Sequence, residues 1–174
     1  MKFRCLAALM VVTACSTGGS QQQPRLSDSE IAMVMRVLNI AEIREATLMR
    51  DKATDKTLKD FAQRLINDHD AQMNKTEADL LKADIMSEDS TLSRELDAKS
   101  GEARERLRQL SGAEFDRAYI DREVQGNQTA VKLIDERLIP SAHKKVVGNA
   151  ALALKKLIEI HLDEAKKLQA TLKQ

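Results

Sequence analysis

The sequence predicts an all-α fold, four long amphipathic helices about one core, and three observations carry that reading. Prolines occur only at Pro24 and Pro140, so residues 25–139 are free of the strongest helix breaker. Through most of that stretch apolar residues recur every three or four positions, and no segment alternates apolar and polar as a half-buried strand does. The 174 residues are 43% hydrophobic and 32% charged, which suits a single water-soluble domain with a modest core.

The first helix begins at Ser27-Asp28-Ser29-Glu30, a capping box in which Ser27 accepts from the Glu30 amide while Glu30 reaches back. Leu26 and Ile31 are placed as its hydrophobic staple. Its stripe, Ile31, Val34, Leu38, Ala41, Glu45 and Leu48, is flanked by Met35, Glu42 and Met49 and runs to about Arg50. Thr54 is the expected cap of the second helix, whose stripe follows Leu58, Ala62, Leu65, His69, Met73, Thr76, Leu80 and Ala83, widened by Phe61 and Ile66, to an end near Ile85. From Met86 to Gly112 the composition turns polar. Leu92, Leu96, Ala103, Leu107 and Leu110 keep helical spacing there, and Ser100-Gly101 marks a break in that crossover helix.

Phe115, Tyr119, Ile120, Val124, Asn127, Val131, Ile134 and Leu138 mark a third long helix, which Pro140 is expected to terminate. The fourth starts near Ala142, with a stripe of Val147, Ala150, Leu154, Leu157, His161, Glu164, Leu168 and Leu172. Four such stripes are buried together by laying the helices antiparallel. Short turns pair the first helix with the second and the third with the fourth. The 27-residue connection 86–112 allows a long return, giving a ferritin-like four-helix bundle over residues 27–174.

The N-terminus is an address. Lys2 and Arg4 precede an uncharged run from Leu6 to Val12, too short for a membrane span of roughly 20 residues. Val12-Thr13-Ala14-Cys15 resembles the bacterial lipobox, in which cleavage precedes the cysteine and the cysteine receives the lipid. By that resemblance residues 1–14 are a lipoprotein signal peptide, Cys15 is the lipidated residue, and residues 15–26 are a lipid-bearing flexible tether to the membrane. Ser16 in place of an aspartate implies the outer membrane, with the bundle facing the periplasm. Cleavage removes Lys2 and Arg4, so 26 basic side chains face 27 acidic ones, and with Cys5 gone no disulfide can form.

Function classes narrow accordingly. A formal charge of +1 offers no field for nucleic acid, and 2% aromatic residues offer no stacking platform. There is no Gly-x-Ser-x-Gly elbow and no glycine-rich phosphate loop, and the catalytic residues are therefore read as none. Polar residues inside the stripes are the remaining candidates. Counted from the helix ends, His69 and Asn127 lie 14 positions in and His161 lies 12 in, making one layer. Glu42, Glu123 and Glu164 lie 10, 10 and 9 in, a carboxylate layer roughly one turn away.

His69, His161, Glu42, Glu123 and Glu164 are thus candidate ligands for iron or manganese, since carboxylates and imidazoles projecting inward are how bundle cores bind those ions. The Glu-x-x-His spacing of di-iron bundles is missing, because Ile66 and Ile158 stand three residues before the histidines. The favoured reading is that each imidazole is a core residue satisfied by a carboxylate, Glu42 or Glu164. Asp68 points about 100° away from His69 around the helix, so their adjacency in sequence is no evidence of a catalytic dyad. His143 is read as surface.

Ala41-Glu42-Ile43, Leu58-Lys59-Asp60-Phe61-Ala62, Asn67-Asp68-His69, Glu114-Phe115-Asp116-Arg117-Ala118-Tyr119-Ile120 and His161-Leu162 together resemble a ferritin-like bacterial family of unknown function whose members are described as outer-membrane or exported proteins. The resemblance covers about Glu30 to Leu168 and implies polar positions at Glu42, His69 and His161. A histidine is usual in the family where this chain has Asn127, a poorer metal ligand. Three functions follow as expectations: a lipid-anchored, non-catalytic binding or stress-related module; a metal-binding redox or storage bundle; and a structural helical protein that pairs with a partner or with its own copies.

Overall fold

The structure is a computed structural model that describes residues 24–172, so the lipobox and most of the expected tether lie outside the described residues. The helices are α1 (Asp28–Lys52), α2 (Lys56–Leu81), α3 (Thr91–Arg108), α4 (Gly112–Leu133), the short α5 (Ile139–Ser141) and α6 (Lys145–Leu172), with a π turn at Ile134–Leu138 between α4 and α5. No strand occurs among the described residues. The protein is an all-α helical bundle.

Helix α1 packs on α2 and α4 on α6, the two hairpins close through α2 against α6, and α3 lies along the outer side of α1. The capping box forms as expected: the Glu30 N–H donates to Ser27 Oγ (3.1 Å) and the Ser27 N–H to Glu30 Oε2 (2.8 Å). Leu26 is buried with Ile31 in one cluster.

Each end of the bundle is tied by a carboxylate reaching from one hairpin to the other. At the end where α1 begins, Asp28 accepts the backbone N–H groups of His143 (2.9 Å) and Lys144 (3.0 Å), which lead into α6. At the opposite end buried Asp116 accepts the Thr54 N–H (3.1 Å), the Thr54 hydroxyl (2.5 Å) and the Asp55 N–H (3.2 Å), in the turn that starts α2. In both places an anion meets the positive end of a helix dipole and satisfies amides that would otherwise lack partners.

The core is divided. Ile31, Val34, Met35, Leu80, Ile134, Leu138, Val147 and Leu154 form an aliphatic half near the start of α1. Met49, Leu58, Phe61, Leu65, Phe115, Tyr119 and Ile120 form the other half, which among the described residues holds every buried aromatic ring apart from the imidazoles. Between them lies a seam of buried polar side chains: Asn39, Glu45, His69, Glu123, Asn127 and His161.

Several boundaries differ from expectation. Asp55, not Thr54, caps α2, accepting from the Thr57 (2.6 Å) and Leu58 (3.3 Å) amides, because Thr54 is already held by Asp116. Helix α2 stops at Leu81 and turns through Asp84 at φ +55°. Helix α3 is not broken at Ser100-Gly101. One interior glycine costs only about 1 kcal/mol, and the buried Ser100 hydroxyl donates to Glu45 Oε1 (2.9 Å). Pro140 does not stop the third long helix cleanly. Its ring removes one amide and crowds the carbonyl four residues back, and the chain widens into the π turn before ending at Ser141. Helix α6 starts at Lys145 rather than Ala142.

Two stripes are rotated from their expected phase. On α1 the buried residues include Ala32, Met35, Asn39, Ala46 and Met49, while Leu38, Ala41 and Leu48 are half-buried. On α6 they are Val147, Ala151, Leu154, Ile158, His161, Leu162 and Ala165, in place of Ala150, Leu157, Glu164 and Leu168.

Candidate functional site

The seam holds two polar groups. In the first, four side chains form a hydrogen-bonded line across α1, α2 and α6. Asn39 donates its amide to the Met35 carbonyl (2.9 Å), which turns its oxygen toward His69 Nδ1 at 2.9 Å. His69 Nε2 lies 3.2 Å from His161 Nδ1, and His161 Nε2 lies 3.0 Å from Asp68 Oδ2. His69 is fully buried and His161 nearly so, while half of the Asp68 side chain is in water. Phe61 meets the His161 ring edge-on at 6.5 Å between centroids.

Both ends of this line accept: a carbonyl at one and a carboxylate at the other. Its three ring contacts need three ring protons, whereas two neutral imidazoles carry two. With both rings neutral one contact therefore lacks its hydrogen, and a third proton completes the set. Burial, reinforced by the charge of His161, holds the pKa of His69 down to about 3. Burial also lowers His161, against the upward pull of Asp68. The third proton accordingly belongs on His161, beside its carboxylate, and arrives below the ordinary imidazole range.

The second group lies less than a turn along α1, where Glu42, Glu45 and Glu123 meet Tyr119, Asn127, Arg122 and Ser100. Glu45 Oε1 accepts from Ser100 and from Arg122 Nη2 (3.1 Å). Glu123 accepts from Asn127 Nδ2 (2.8 Å) and from the Tyr119 hydroxyl (3.3 Å). Gly126 matters here: a Cβ would collide with the end of the Arg122 side chain, so the missing methyl leaves room for the guanidinium to lie back toward Glu45.

Three carboxylates share one cation. Burial first, then the charges of Glu123 and Glu45, push Glu42 well above the ordinary carboxyl range. Burial and Glu45 raise Glu123 to about 7, so protons reside in this cluster near neutrality. Tyr119 is raised well above 10 by burial and the neighbouring carboxylates, and remains a phenol donor. Two enclosed oxygens, Glu42 Oε2 and Asn127 Oδ1, have no hydrogen-bond partner.

The five residues proposed from spacing are therefore distributed over three places. His69 and His161 meet each other, Glu42 and Glu123 share the carboxylate cluster, and Glu164 pairs with Arg64 on the outer face of α2 and α6. Asn127 belongs with Glu123 and not with the histidines, because its amide bonds one turn back along its own helix. The imidazole partners are Asn39 and Asp68 rather than Glu42 or Glu164. The 100° that separates Asp68 from His69 aims it at α6, where it meets the other histidine. Asn39, Asp68, Glu45, Arg122 and Ser100 were missed as site residues. Asn39 had a signal, since Ala32, Met35, Asn39, Glu42, Ala46 and Met49 also step by three and four.

Among the described residues no three His, Cys, Asp or Glu side chains converge as a metal site. The paired-metal arrangement of ferritin-like bundles does not fit: the imidazoles are bonded to each other and separated from Glu42 and Glu123.

Comparison with known proteins supports the architecture. No curated protein matches the chain. The crystal structure of a DUF305 protein from Streptomyces coelicolor, described as secreted, is similar with a TM-score of 0.68 at 14% identity, covering 83% of this chain and 93% of that one. At that identity the likeness is one of fold. Residues 13–168 match the family described as a domain of unknown function, DUF4142, and the chain belongs to that family.

Proposed function

We propose that this protein is a lipid-anchored lipoprotein of the cell envelope, held at the outer membrane through Cys15, whose bundle is a binding or stress-related module rather than an enzyme. The observation that carries it is Val12-Thr13-Ala14-Cys15 behind a charged and then apolar N-terminus, with a folded domain under way by Leu26. The secreted description of the structural neighbour agrees with export. No helix among the described residues is long and apolar enough to cross a membrane. The interior chemistry agrees with a module that holds protons: both imidazoles and two of the three carboxylates are engaged with neighbouring side chains. Growth with labelled palmitate tests the anchor. The wild-type chain takes up label and sediments with membranes, and Cys15→Ser does neither; a labelled Cys15→Ser chain overturns the reading.

A second reading, a bundle that binds iron or manganese, is favoured by the two unpartnered oxygens of Glu42 and Asn127 beside Glu123. Elemental analysis after aerobic reconstitution decides it: about one equivalent of metal, lost in Glu123→Gln, supports a site, and less than about a tenth of an equivalent removes it.

A further inference from the structure

We propose that the turn between α2 and α3 is a membrane-contacting tip, which seats the bundle on the same lipid surface that holds Cys15. Four large apolar side chains stand exposed among the described residues. Leu152 and Ile160 are spread along α6, whereas Leu81 (63% exposed) and Met86 (69%) flank one turn. With Met33, Leu80 and Ile85, and with Arg36, Glu77 and Ser87 on its polar side, they line a groove of about 260 Å³ that none of the described residues fills. An apolar pair of this kind, raised on a turn beside its own groove, stands apart from singly scattered surface residues.

The position of the turn identifies what covers it. The Glu88 N–H donates to the Ser29 carbonyl (3.0 Å), Lys144 Nζ to the Ala83 carbonyl (2.9 Å), and Arg137 to the Pro24 carbonyl (3.4 Å). The turn, the first turn of α1 and the point where the chain enters the bundle therefore share one end. Only residues 16–23 separate Cys15 from Pro24, and eight residues can reach at most about 30 Å. Helix α1 alone is about 38 Å long. With Cys15 in the bilayer, the tip end is held within the tether's reach of the headgroups, and the Asp116 end can lie a helix length further out.

Charge does not decide the contact. Exposed Arg25, Lys82, Lys144 and Lys145 are balanced at this end by Asp28, Asp84, Glu88 and Asp89, so the apolar pair carries it and anionic lipid is not required. The inference rests on the anchor reading, and its test separates the two.

The chain contains no tryptophan, and Cys15 is the one cysteine left after residue 14. The mature chain is coupled through the Cys15 thiol to maleimide phosphatidylethanolamine, in phosphatidylethanolamine and phosphatidylglycerol vesicles doped with brominated acyl chains. One probe is Met86→Trp at the tip and the other is Lys56→Trp, exposed at the far end; circular dichroism confirms that both remain helical. Bromine is expected to quench the tip tryptophan roughly twofold or more and to leave the far one unchanged. Quenching of neither or of both equally overturns the contact. A tip emission that shifts with protein concentration in the absence of lipid assigns the groove to a second copy and likewise overturns it. Because the coupling is chemical, these results stand apart from acylation in cells: absent palmitate label removes the anchor and the premise, while unquenched tethered protein removes the tip alone.

Discussion

The histidine line and the carboxylate cluster sit within one turn of each other in the same bundle, and burial acts on them with opposite sign. Both are driven toward their neutral forms. For the imidazoles that means a lowered pKa, and for the carboxyls a raised one. The consequence for stability follows by linkage. Below an unfolded value near 6.5 the unfolded chain protonates at residue 69 while folded His69 resists to about 3, so this region loses stability as pH falls through that window. Unfolded Glu123 ionises near 4.5 and the folded residue near 7, so the cluster costs nothing below 4.5 and a growing amount as pH rises to about 7. Each slope is roughly 1 kcal/mol per pH unit. Between 4.5 and 6.5 they oppose one another, and the seam is buffered against acid.

The two regions also differ in how they tolerate deletion, and this orders the experiments. The largest losses lie on either side of the seam: Leu65→Ala in the aromatic half and Leu154→Ala in the aliphatic half should each cost about 2–5 kcal/mol in denaturant unfolding. A difference well beyond that range between the two would break the picture of two comparable half-cores. Next, His69→Ala should cost about 2–4 kcal/mol at pH 7.5, because it leaves a cavity and strands both Asn39 Oδ1 and His161 Nδ1. Glu123→Gln should instead stabilise by roughly 1–3 kcal/mol at pH 8, with the gain gone below pH 4.5, since it removes a charge and keeps the shape. The smallest effect is Asp68→Asn, under about 1 kcal/mol because that carboxylate is half in water, accompanied by a further fall in the His161 pKa seen in its NMR titration.

The sequence made much of the architecture legible, and less of the seam. The Ser27 to Glu30 capping box, the α2 stripe through His69 and the α4 stripe through Asn127 depend on local spacing and on helix-end chemistry, and they stand in the structure as read. The stripes of α1 and α6 were a residue out of phase, and that small rotation hid Asn39 and Leu162. Long-range partners such as Asp68 with His161, or Ser100 and Arg122 with Glu45, depend on which helices neighbour each other and at what height, which periodicity alone does not specify. Ser100-Gly101 leaves α3 unbroken for a related reason: residues that weaken a helix locally are tolerated when one of them satisfies a buried carboxylate across the interface.

Stability measured from pH 4 to 8 in His69→Gln and Glu123→Gln, beside the wild type, tests the opposed seam most directly. Taken as the difference from the wild type, the stability of His69→Gln should rise as pH falls from 7 to 4.5, because the largest imidazole slope is gone while that of His161 stays, and that of Glu123→Gln should fall below 6.5, because its carboxylate slope is gone while that of Glu42 stays. Parallel curves for the two variants, or slopes of the same sign, would contradict the account.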